Sequence, residues 1–209
     1  MLLKISSQLK IELKHNSLTS MLANLIIIGI ACFIFGIGNL DAYSQAMVIE
    51  RFLPLLGIYS IVTLFYAEHR SPIKDILRMR STRIELIYLV RFLLKIFIYG
   101  TISFIYIYLL IRPKPPYELV KILFHSLSIG IFIGGVGLLV FSSTNNISMA
   151  FLSSIALILS QWFFPKNKEK TFMLFTMPEI SVNRMLLIFG LSLVMILLCM
   201  IIWKRKSIS

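Results

Sequence analysis

Six long apolar runs separated by short polar connections fill most of the chain. The runs are Met21–Gly38, Phe52–Tyr66, Ile87–Leu110, Leu119–Phe141, Ile147–Phe164 and Met185–Trp203. A helix needs about 20 residues to cross the hydrocarbon core of a bilayer. The pattern therefore predicts an all-α polytopic membrane protein with six transmembrane helices in a single domain, residues 1–209. It leaves no soluble stretch long enough for an ordinary catalytic domain.

The starts of the second and third runs can each be placed at two positions. The second is short unless it starts near Met47, in which case it takes in Glu50 and Arg51. The third carries Arg91 and Lys95, which share one helical face. Because long basic side chains near a span end can reach the headgroups, we expect the hydrocarbon section of the third run to be nearer Phe92–Leu110.

Composition supports lipid as the solvent of this chain. The apolar fraction is 58%, the charged fraction is 14% and the mean hydropathy is +0.88. The net charge of +12 sits at the ends of the apolar runs, which favours anionic headgroups over nucleic acid as the partner. Cys32 and Cys199 lie inside apolar runs and offer neither a disulfide framework nor metal-ligand spacing. The richness in Ile, Lys, Asn and Ser is typical of a bacterial source, and hence of a bacterial cell membrane.

Basic residues in the connections predict the orientation. The second connection contains five Lys or Arg residues, whereas the first, Asn39–Ala46, contains none. Because cytoplasmic loops carry the excess of Lys and Arg, the second connection is expected inside. Six spans then place both termini in the cytoplasm.

The first 18 residues are expected to form an interfacial helix. At helical spacing Leu2, Ile5, Leu9 and Leu13 share one narrow face, while the basic side chains fall on the opposite half. A basic amphipathic helix of this kind lies in the headgroup plane. The alternative is a solvated tail.

The second connection, residues 67–84, contains the start signals of a short helix. Ser71 is a suitable N-cap and Pro72 suits the first helical position. Apolar residues then recur at helical spacing, and Asp75 can pair with Arg78 three residues later. Glu68 precedes this segment, which we expect to project apolar groups at the cytoplasmic face.

The fifth connection, residues 165–184, changes character along its length. It starts with the charged stretch Lys166–Lys170 and becomes apolar until Pro178. The apolar part is too short to span a bilayer. It is expected to re-enter the membrane or to lie on its outer surface.

Glycines and aromatic residues mark helix faces inside the spans. Gly130 and Gly134 form a small-residue face that permits close helix packing, and the first run carries three glycines with the same expected role: Gly29, Gly36 and Gly38. Aromatic residues are dense in the third run, among them Tyr99 and Tyr106. They line a route for an amphipathic cargo or simply pack.

The chain lacks the motifs of several membrane enzymes. It has no P-loop, no HExxH and no GxSxG, so no enzyme activity and no cofactor of its own are expected. His125 is isolated in sequence and could pair with Glu118 or Lys121, contact cargo, or pack. Glu50, with the other glutamates, lies near a span end, which weakens a proton-coupled carrier because such carriers need deep ionisable groups.

These features together resemble the membrane subunit of a type-2 ATP-binding-cassette (ABC) exporter. Leu2–His15 corresponds to the elbow helix of that family, Ser71–Arg83 after Glu68 to its coupling helix, and Phe172–Ile180 to its re-entrant element. The residues that fit the family motif of the coupling region are Lys74, Asp75, Leu77, Ser81, Arg83, Tyr88, Arg91 and Lys95. The family's proline and glycine in that motif are absent here.

The resemblance implies a division of labour. A separate cytoplasmic ATPase would bind ATP and Mg²⁺, and a second permease copy, identical or related, would complete the path. The short Ser142–Asn146 connection would be a second contact with the ATPase. The cargo would be amphipathic or peptide-like, such as an antimicrobial peptide or a drug. The alternative is a membrane protein that does not transport, such as a bacteriocin immunity or assembly factor.

The resemblance also implies an ATPase-coupling set, namely Glu68, Ser71, Ile73, Lys74, Asp75, Leu77, Arg78, Arg80 and Arg83. Independently of the resemblance, the alternative to anchoring and packing for five residues of the spans is a cargo path: Arg91, Lys95, Tyr99, Tyr106 and His125.

Overall fold

The computed structural model describes residues 18–37, 40, 42–65, 84–111, 116–163, 174–175 and 181–208. Every regular element in these ranges is helical. There are six helical bodies, α1 to α6, and the last four are single α-helices: α3, Ile84–Leu110; α4, Pro116–Thr144; α5, Ile147–Phe163; and α6, Val182–Ile208. The expected interfacial helix, the connection 67–83 and most of 165–180 lie outside the described residues.

The first two helical bodies differ in regularity. Helix α1 is the single α-helix Leu18–Phe35. The second body, α2, covers residues 42–65 and changes its hydrogen-bonding pattern along its length. Its four consecutive pieces are the α-helix Ala42–Met47, the π-helix Val48–Phe52, the α-helix Leu53–Val62 and the 3₁₀ turn Thr63–Phe65.

The helices coincide with the apolar runs of the sequence. Five are long and apolar enough to cross a membrane, namely Leu18–Phe35, Ser44–Phe65, Tyr88–Leu110, Glu118–Thr144 and Val182–Trp203. Helix α5 is apolar but has 17 residues, which at 1.5 Å per residue gives about 26 Å. The prediction of an all-α protein built from membrane-spanning helices is confirmed, while the sixth span and the orientation stay predictions.

Helix α2 begins earlier than the second apolar run predicts. Of the two predicted starts, Phe52 is too late and the alternative near Met47 is closer to the observed one, because Glu50 and Arg51 are both inside the helix. The backbone N–H of Leu53 donates to the carbonyl oxygen of Val48, five residues back, which is the π-type bond of this turn. The charged residues therefore do not end the helix but sit on its π turn.

Helices α2 and α4 form the centre of the bundle. In each of them 72% of the membrane-spanning window is buried, against 17% in α1 and 22% in α6. Helix α4 lies against α2, α5 and α6, and α2 also contacts α1 and α3. The outer helices leave large apolar side chains uncovered, with Phe33 91% exposed. An apolar surface of this extent suits lipid and would drive aggregation in water.

The glycine face of α4 makes the closest helix contact. A Cβ atom on Gly57 would lie 2.7 Å from the backbone of Gly130, and one on Gly134 would lie 2.8 Å from the Cβ of Ile61. Real Cβ atoms do not approach so closely, so both positions require glycine for the observed helix separation. The predicted role of Gly130 and Gly134 is confirmed, and Gly57 is their unanticipated partner on α2.

The glycines of the first run do not have that role. A Cβ atom on Gly29 would meet nothing within 4 Å, because this part of α1 faces outward. Gly36 has φ = 80° and follows the last helical residue, and its N–H donates to the carbonyl of Cys32 at 2.9 Å. It ends α1 by adopting the left-handed conformation. The predicted packing role is wrong for both residues, and Gly38 lies outside the described ranges.

A two-residue turn joins α4 to α5. Helix α4 continues through Thr144, Asn145 has φ = 57°, and the Asn146 side chain accepts a hydrogen bond from the N–H of Ser148 at 2.9 Å. Asn146 is therefore the N-cap of α5. The predicted connection Ser142–Asn146 is too long, since only its last two residues are outside a helix.

Four aromatic rings close one end of the bundle. Phe65 stacks on Trp203 with centroids 5.0 Å apart and meets Tyr88 edge-on at 5.1 Å, and Trp203 also stacks on Phe141 at 5.4 Å. These residues come from the ends of α2, α4 and α6 and the start of α3. We call this end of the bundle, defined by Phe65, Tyr88, Phe141 and Trp203, the aromatic end.

Candidate functional site

Five buried residues with polar groups form a single stripe on α3. Arg91, Lys95, Tyr99, Ser103 and Tyr106 are spaced by four, four, four and three residues, so they share one helical face. None of them is more than 6% exposed. Because residues of this kind inside a membrane bundle are costly unless satisfied, this polar stripe is a candidate functional feature.

The two cations of the stripe hold the end of α2. The Arg91 Nη1 donates to the carbonyl oxygen of Leu64 at 3.1 Å, and the Lys95 Nζ donates to Thr63 Oγ1 at 2.6 Å. The Thr63 hydroxyl in turn donates to the carbonyl of Tyr59 at 2.7 Å. The last carbonyls of a helix have no partner within it and carry partial negative charge, which positive groups stabilise.

The prediction that Arg91 and Lys95 reach the headgroups is therefore wrong. Both side chains point into the bundle because the 3₁₀ turn at the end of α2 offers them acceptors there. The apolar window of this helix, Tyr88–Leu110, contains both residues. The narrower hydrocarbon section Phe92–Leu110 does not follow from the structure.

Tyr99 links the stripe to α4. Its hydroxyl donates to the carbonyl oxygen of Ser126 at 3.1 Å, and it lies against Gly130, where a side chain would collide with it. The glycine at position 130 thus makes room both for α2 and for the Tyr99 ring. Tyr99 is fixed between helices in this conformation, as Tyr106 is by its burial.

At the opposite end of the bundle Glu50 and His125 form a buried pair. The Glu50 Oε1 lies 2.9 Å from the His125 Nε2, with side-chain exposures of 8% and 3%. His125 is seven residues inside the window that starts at Glu118, and Glu50 is six residues inside the window that starts at Ser44. At 1.5 Å per residue both lie about 10 Å within their helices.

The predicted partners of His125 are wrong. Glu118 and Lys121 are on its own helix, whereas the observed partner is on α2, 75 residues away. The expectation that Glu50 lies near a span end is wrong as well, because this residue is six positions inside its membrane-spanning window. The sequence does show a glutamate and a histidine in two separate apolar helices, which could have suggested a pair. No local spacing connects the two residues, however.

Two further polar contacts surround the pair. The Ser126 hydroxyl lies 3.4 Å from the carbonyl oxygen of Ile49, on the π turn. The Arg51 guanidinium lies 5.2 Å from the Trp162 ring of α5, a cation–π contact. The π turn of α2 is thus contacted by α4 and by α5, through residues that sequence reasoning did not select.

The remaining parts of the site prediction are only partly described. Leu174 is buried, and its N–H donates to the Gln161 Oε1 at 3.2 Å, so the apolar part of the fifth connection returns to the bundle there. The rest of Phe172–Ile180 lies outside the described residues. So do all nine ATPase-coupling candidates, Glu68, Ser71, Ile73, Lys74, Asp75, Leu77, Arg78, Arg80 and Arg83.

The structure thus brings four of the cargo-path candidates onto one face of α3 and places the fifth, His125, across the bundle on α4. All five are buried between helices rather than lining an open passage. Among the described residues there is no group of three His, Cys, Asp or Glu side chains suited to a metal ion. Comparisons of the chain with protein-family models, with curated proteins and with solved structures find no significant match, so the site is interpreted from its own geometry.

Proposed function

We propose that the chain is the permease subunit of an ABC exporter in a bacterial cell membrane, with six spans and both termini in the cytoplasm. A separate ATPase subunit binds and hydrolyses ATP, and a second permease copy completes the path. The cargo is amphipathic or peptide-like. In this arrangement the aromatic end of the bundle faces the cytoplasm.

The observation that best supports the proposal is how the second connection is anchored. Its two flanking helices, α2 and α3, are tied together where they meet it, through the Arg91–Leu64 and Lys95–Thr63 hydrogen bonds and the Phe65–Tyr88 contact. A push on the connection therefore moves α2 and α3 as one unit. A loop that receives force from an ATPase needs such anchoring, whereas a passive tether does not.

The tight packing of α2 on α4 continues this line of transmission. Gly57 lies against Gly130, and Gly134 lies against Ile61, so α2 cannot shift without moving α4 or losing that contact. Because α4 contacts α5 and α6 as well, a displacement at the aromatic end reaches most of the bundle. This supports a permease that responds as a whole to its cytoplasmic loop.

A pull-down from native membranes tests the partner directly. We expect an ATP-binding protein to co-purify with the chain in equal amount. Leu77→Asp, Arg78→Glu and Arg80→Glu are expected to lose that protein while inserting normally. Arg205→Glu is the matched control, because it reverses an exposed charge near the C-terminus outside the coupling set.

Two outcomes would contradict the proposal. Co-purification of an intact ATPase with all three loop variants would remove the coupling role of the second connection. Absence of any ATP-binding protein from the wild-type preparation would favour the alternative, a membrane protein that does not transport, such as an immunity or assembly factor.

A further inference from the structure

We propose that Arg51 and Trp162 form a binding site for the phosphate group of an anionic phospholipid. The acyl chain of this lipid lies along a half-exposed face of α2, against α5. The site is in the leaflet opposite the aromatic end, apart from the polar stripe and from the second connection. It does not depend on an ATPase partner.

Arg51 is a charged residue inside a membrane-spanning segment. It is seven positions within the window that starts at Ser44, which at 1.5 Å per residue is about 10 Å along α2. Its guanidinium carbon lies 5.2 Å from the centre of the Trp162 ring, and no carboxylate of the described residues lies within 4 Å of the guanidinium. A guanidinium stays charged, and a charge at membrane depth is costly unless an anion accompanies it. The position therefore favours an anion supplied by the surroundings.

A guanidinium beside an indole ring suits a phosphate group. Arginine presents its N–H groups in a planar fork that binds two phosphate oxygens at once. The contact with the Trp162 ring is a cation–π contact, which uses no oxygen acceptor and leaves those N–H groups available to a phosphate. Arg51 is only half-buried, so a lipid headgroup can reach it from the membrane.

Helix α5 brings the headgroups to the level of Arg51. Its 17 residues give about 26 Å, less than the hydrocarbon thickness of about 30 Å, and a short helix thins the bilayer around it. Trp162 is the next-to-last residue of α5 and is 40% exposed. Because tryptophan is enriched at the membrane–water interface, the headgroups on this side are expected beside Trp162, where Arg51 lies.

One face of α2 continues from Arg51 toward the middle of the bundle and suits an acyl chain. Half-exposed residues recur every four positions, at Arg51, Leu55 and Tyr59, so they share one helical face. The Tyr59 ring lies 6.1 Å from the Phe151 ring of α5. From Arg51 to Tyr59 this face is about 12 Å long. The charge near the membrane surface and the apolar face below it have the order of a phospholipid.

Charge favours an anionic phospholipid over a zwitterionic one. Phosphatidylglycerol carries one negative charge, so its complex with Arg51 is neutral. Phosphatidylcholine carries a cation as well, which the guanidinium repels. One basic residue near a membrane surface favours anionic lipid by about fivefold, and this is the preference expected of the site.

Brominated lipids measure binding at this site directly. The chain has two tryptophans, so Trp162 is the only emitter in the Trp203→Phe protein. Bromine on an acyl chain quenches tryptophan fluorescence on contact. In phosphatidylcholine nanodiscs we expect brominated phosphatidylglycerol to quench Trp162 with a binding constant about fivefold above that of brominated phosphatidylcholine.

One substitution and a matched control test the role of Arg51. Arg51→Gln, in the Trp203→Phe background, is expected to make the two brominated lipids equally effective. Arg184→Gln is expected to keep the preference, because Arg184 is exposed at the start of α6, at the same end of the bundle. An unchanged preference in Arg51→Gln, or equal quenching by the two lipids before that substitution, would overturn the proposal.

Inorganic phosphate distinguishes a lipid headgroup from a free anion. Added to the nanodiscs in place of chloride at the same ionic strength, it is expected to leave the preference for phosphatidylglycerol unchanged. Loss of the preference in phosphate but not in chloride would mean that the site takes the free anion, and would refute the assignment to a lipid.

Native mass spectrometry covers the case in which the Trp203→Phe protein does not fold. The natural chain, purified in detergent with equal amounts of the two lipids, is expected to retain phosphatidylglycerol in preference to phosphatidylcholine. Arg51→Gln should lose this preference and Arg184→Gln should keep it. The same preference in the natural chain and in Arg51→Gln would show that the lipid binds elsewhere.

Discussion

At the aromatic end, Arg91 and Lys95 are held by the last turn of α2, whereas at the opposite end Glu50 and His125 hold each other across α2 and α4. Both sites are buried and both involve α2. They differ in the kind of partner. Arg91 and Lys95 donate to a backbone carbonyl and a hydroxyl in the last turn of α2, while Glu50 is joined to a side chain on another helix.

This difference assigns separate tasks to the two ends of α2. The aromatic end is a joint between α2 and α3, beside the connection where force is proposed to enter. The opposite end is a joint between the π turn of α2 and α4, made by a pair of side chains.

The largest effect is expected from His125→Leu. This change removes the imidazole that lies 2.9 Å from the Glu50 carboxylate, and breaking a buried pair by removing one partner costs about 3–5 kcal/mol. The free energy of unfolding from mixed micelles, measured by dodecyl sulfate titration, checks this loss.

The control for this prediction is the double variant Glu50→Gln, His125→Leu. It removes the carboxylate together with its partner, so we expect it to be more stable than His125→Leu alone. Equal stability of the two proteins would mean that the loss in His125→Leu does not come from the contact with Glu50.

Arg91→Leu is expected to have the next largest effect. Removal of the donor leaves the Leu64 carbonyl without this bond, and an unsatisfied buried polar group costs about 1–3 kcal/mol. The same titration measures this loss. Arg205→Leu, at an exposed position, should leave stability unchanged, and an equally small effect of Arg91→Leu would contradict the role of Arg91 in holding the end of α2.

The sequence predicted what depends on composition and local spacing. The helices follow the apolar runs, and Gly130 and Gly134 pack as their i, i+4 spacing indicates. It failed where a partner comes from elsewhere in the chain. Glu50 and His125 are 75 residues apart, so no window of sequence contains both.

Two wrong expectations have the same physical origin. Arg91 was expected at the headgroups because its helix was considered alone, yet the end of α2 supplies an acceptor that one helix cannot show. Gly29 was expected to pack as Gly130 does. The residue type is the same, but α1 is at the periphery and α4 is at the centre. Whether a helix is peripheral or central depends on how all the helices pack together.

Gly57→Ala is expected to affect the two ends unequally. The new methyl group would lie 2.7 Å from the Gly130 backbone, so α2 and α4 must separate, and overpacking of this kind costs about 1–3 kcal/mol. The separation strains the Glu50–His125 pair, which joins the same two helices, but not the ties of α2 to α3. Gly29→Ala is the matched control, since its methyl group meets nothing within 4 Å.

Chemical cross-linking can distinguish the two ends in that variant. Cysteine pairs introduced between α2 and α4 should cross-link more slowly in Gly57→Ala, and pairs between α2 and α3 should be unaffected. A uniform slowing at both interfaces would indicate general loosening of the bundle. It would contradict the expectation that the contacts between α2 and α3 at the aromatic end are unaffected.

The smallest effect is expected from Asn24→Leu. This change removes an uncharged contact of α2, for comparison with the contacts of charged residues at its two ends. The Asn24 Nδ2 donates to Ser60 Oγ at 3.0 Å, joining α1 to the middle of α2. Hydrogen bonds between membrane helices average about 0.6 kcal/mol in double-mutant cycles. We expect that coupling from a cycle of Asn24→Leu and Ser60→Ala, with no pH dependence. Ser153→Ala is the control, because its hydroxyl bonds only the Ala150 carbonyl of its own helix. A coupling as large as that of Glu50 with His125 would show that burial alone, rather than the charge of the partners, sets the strength of the contacts along α2.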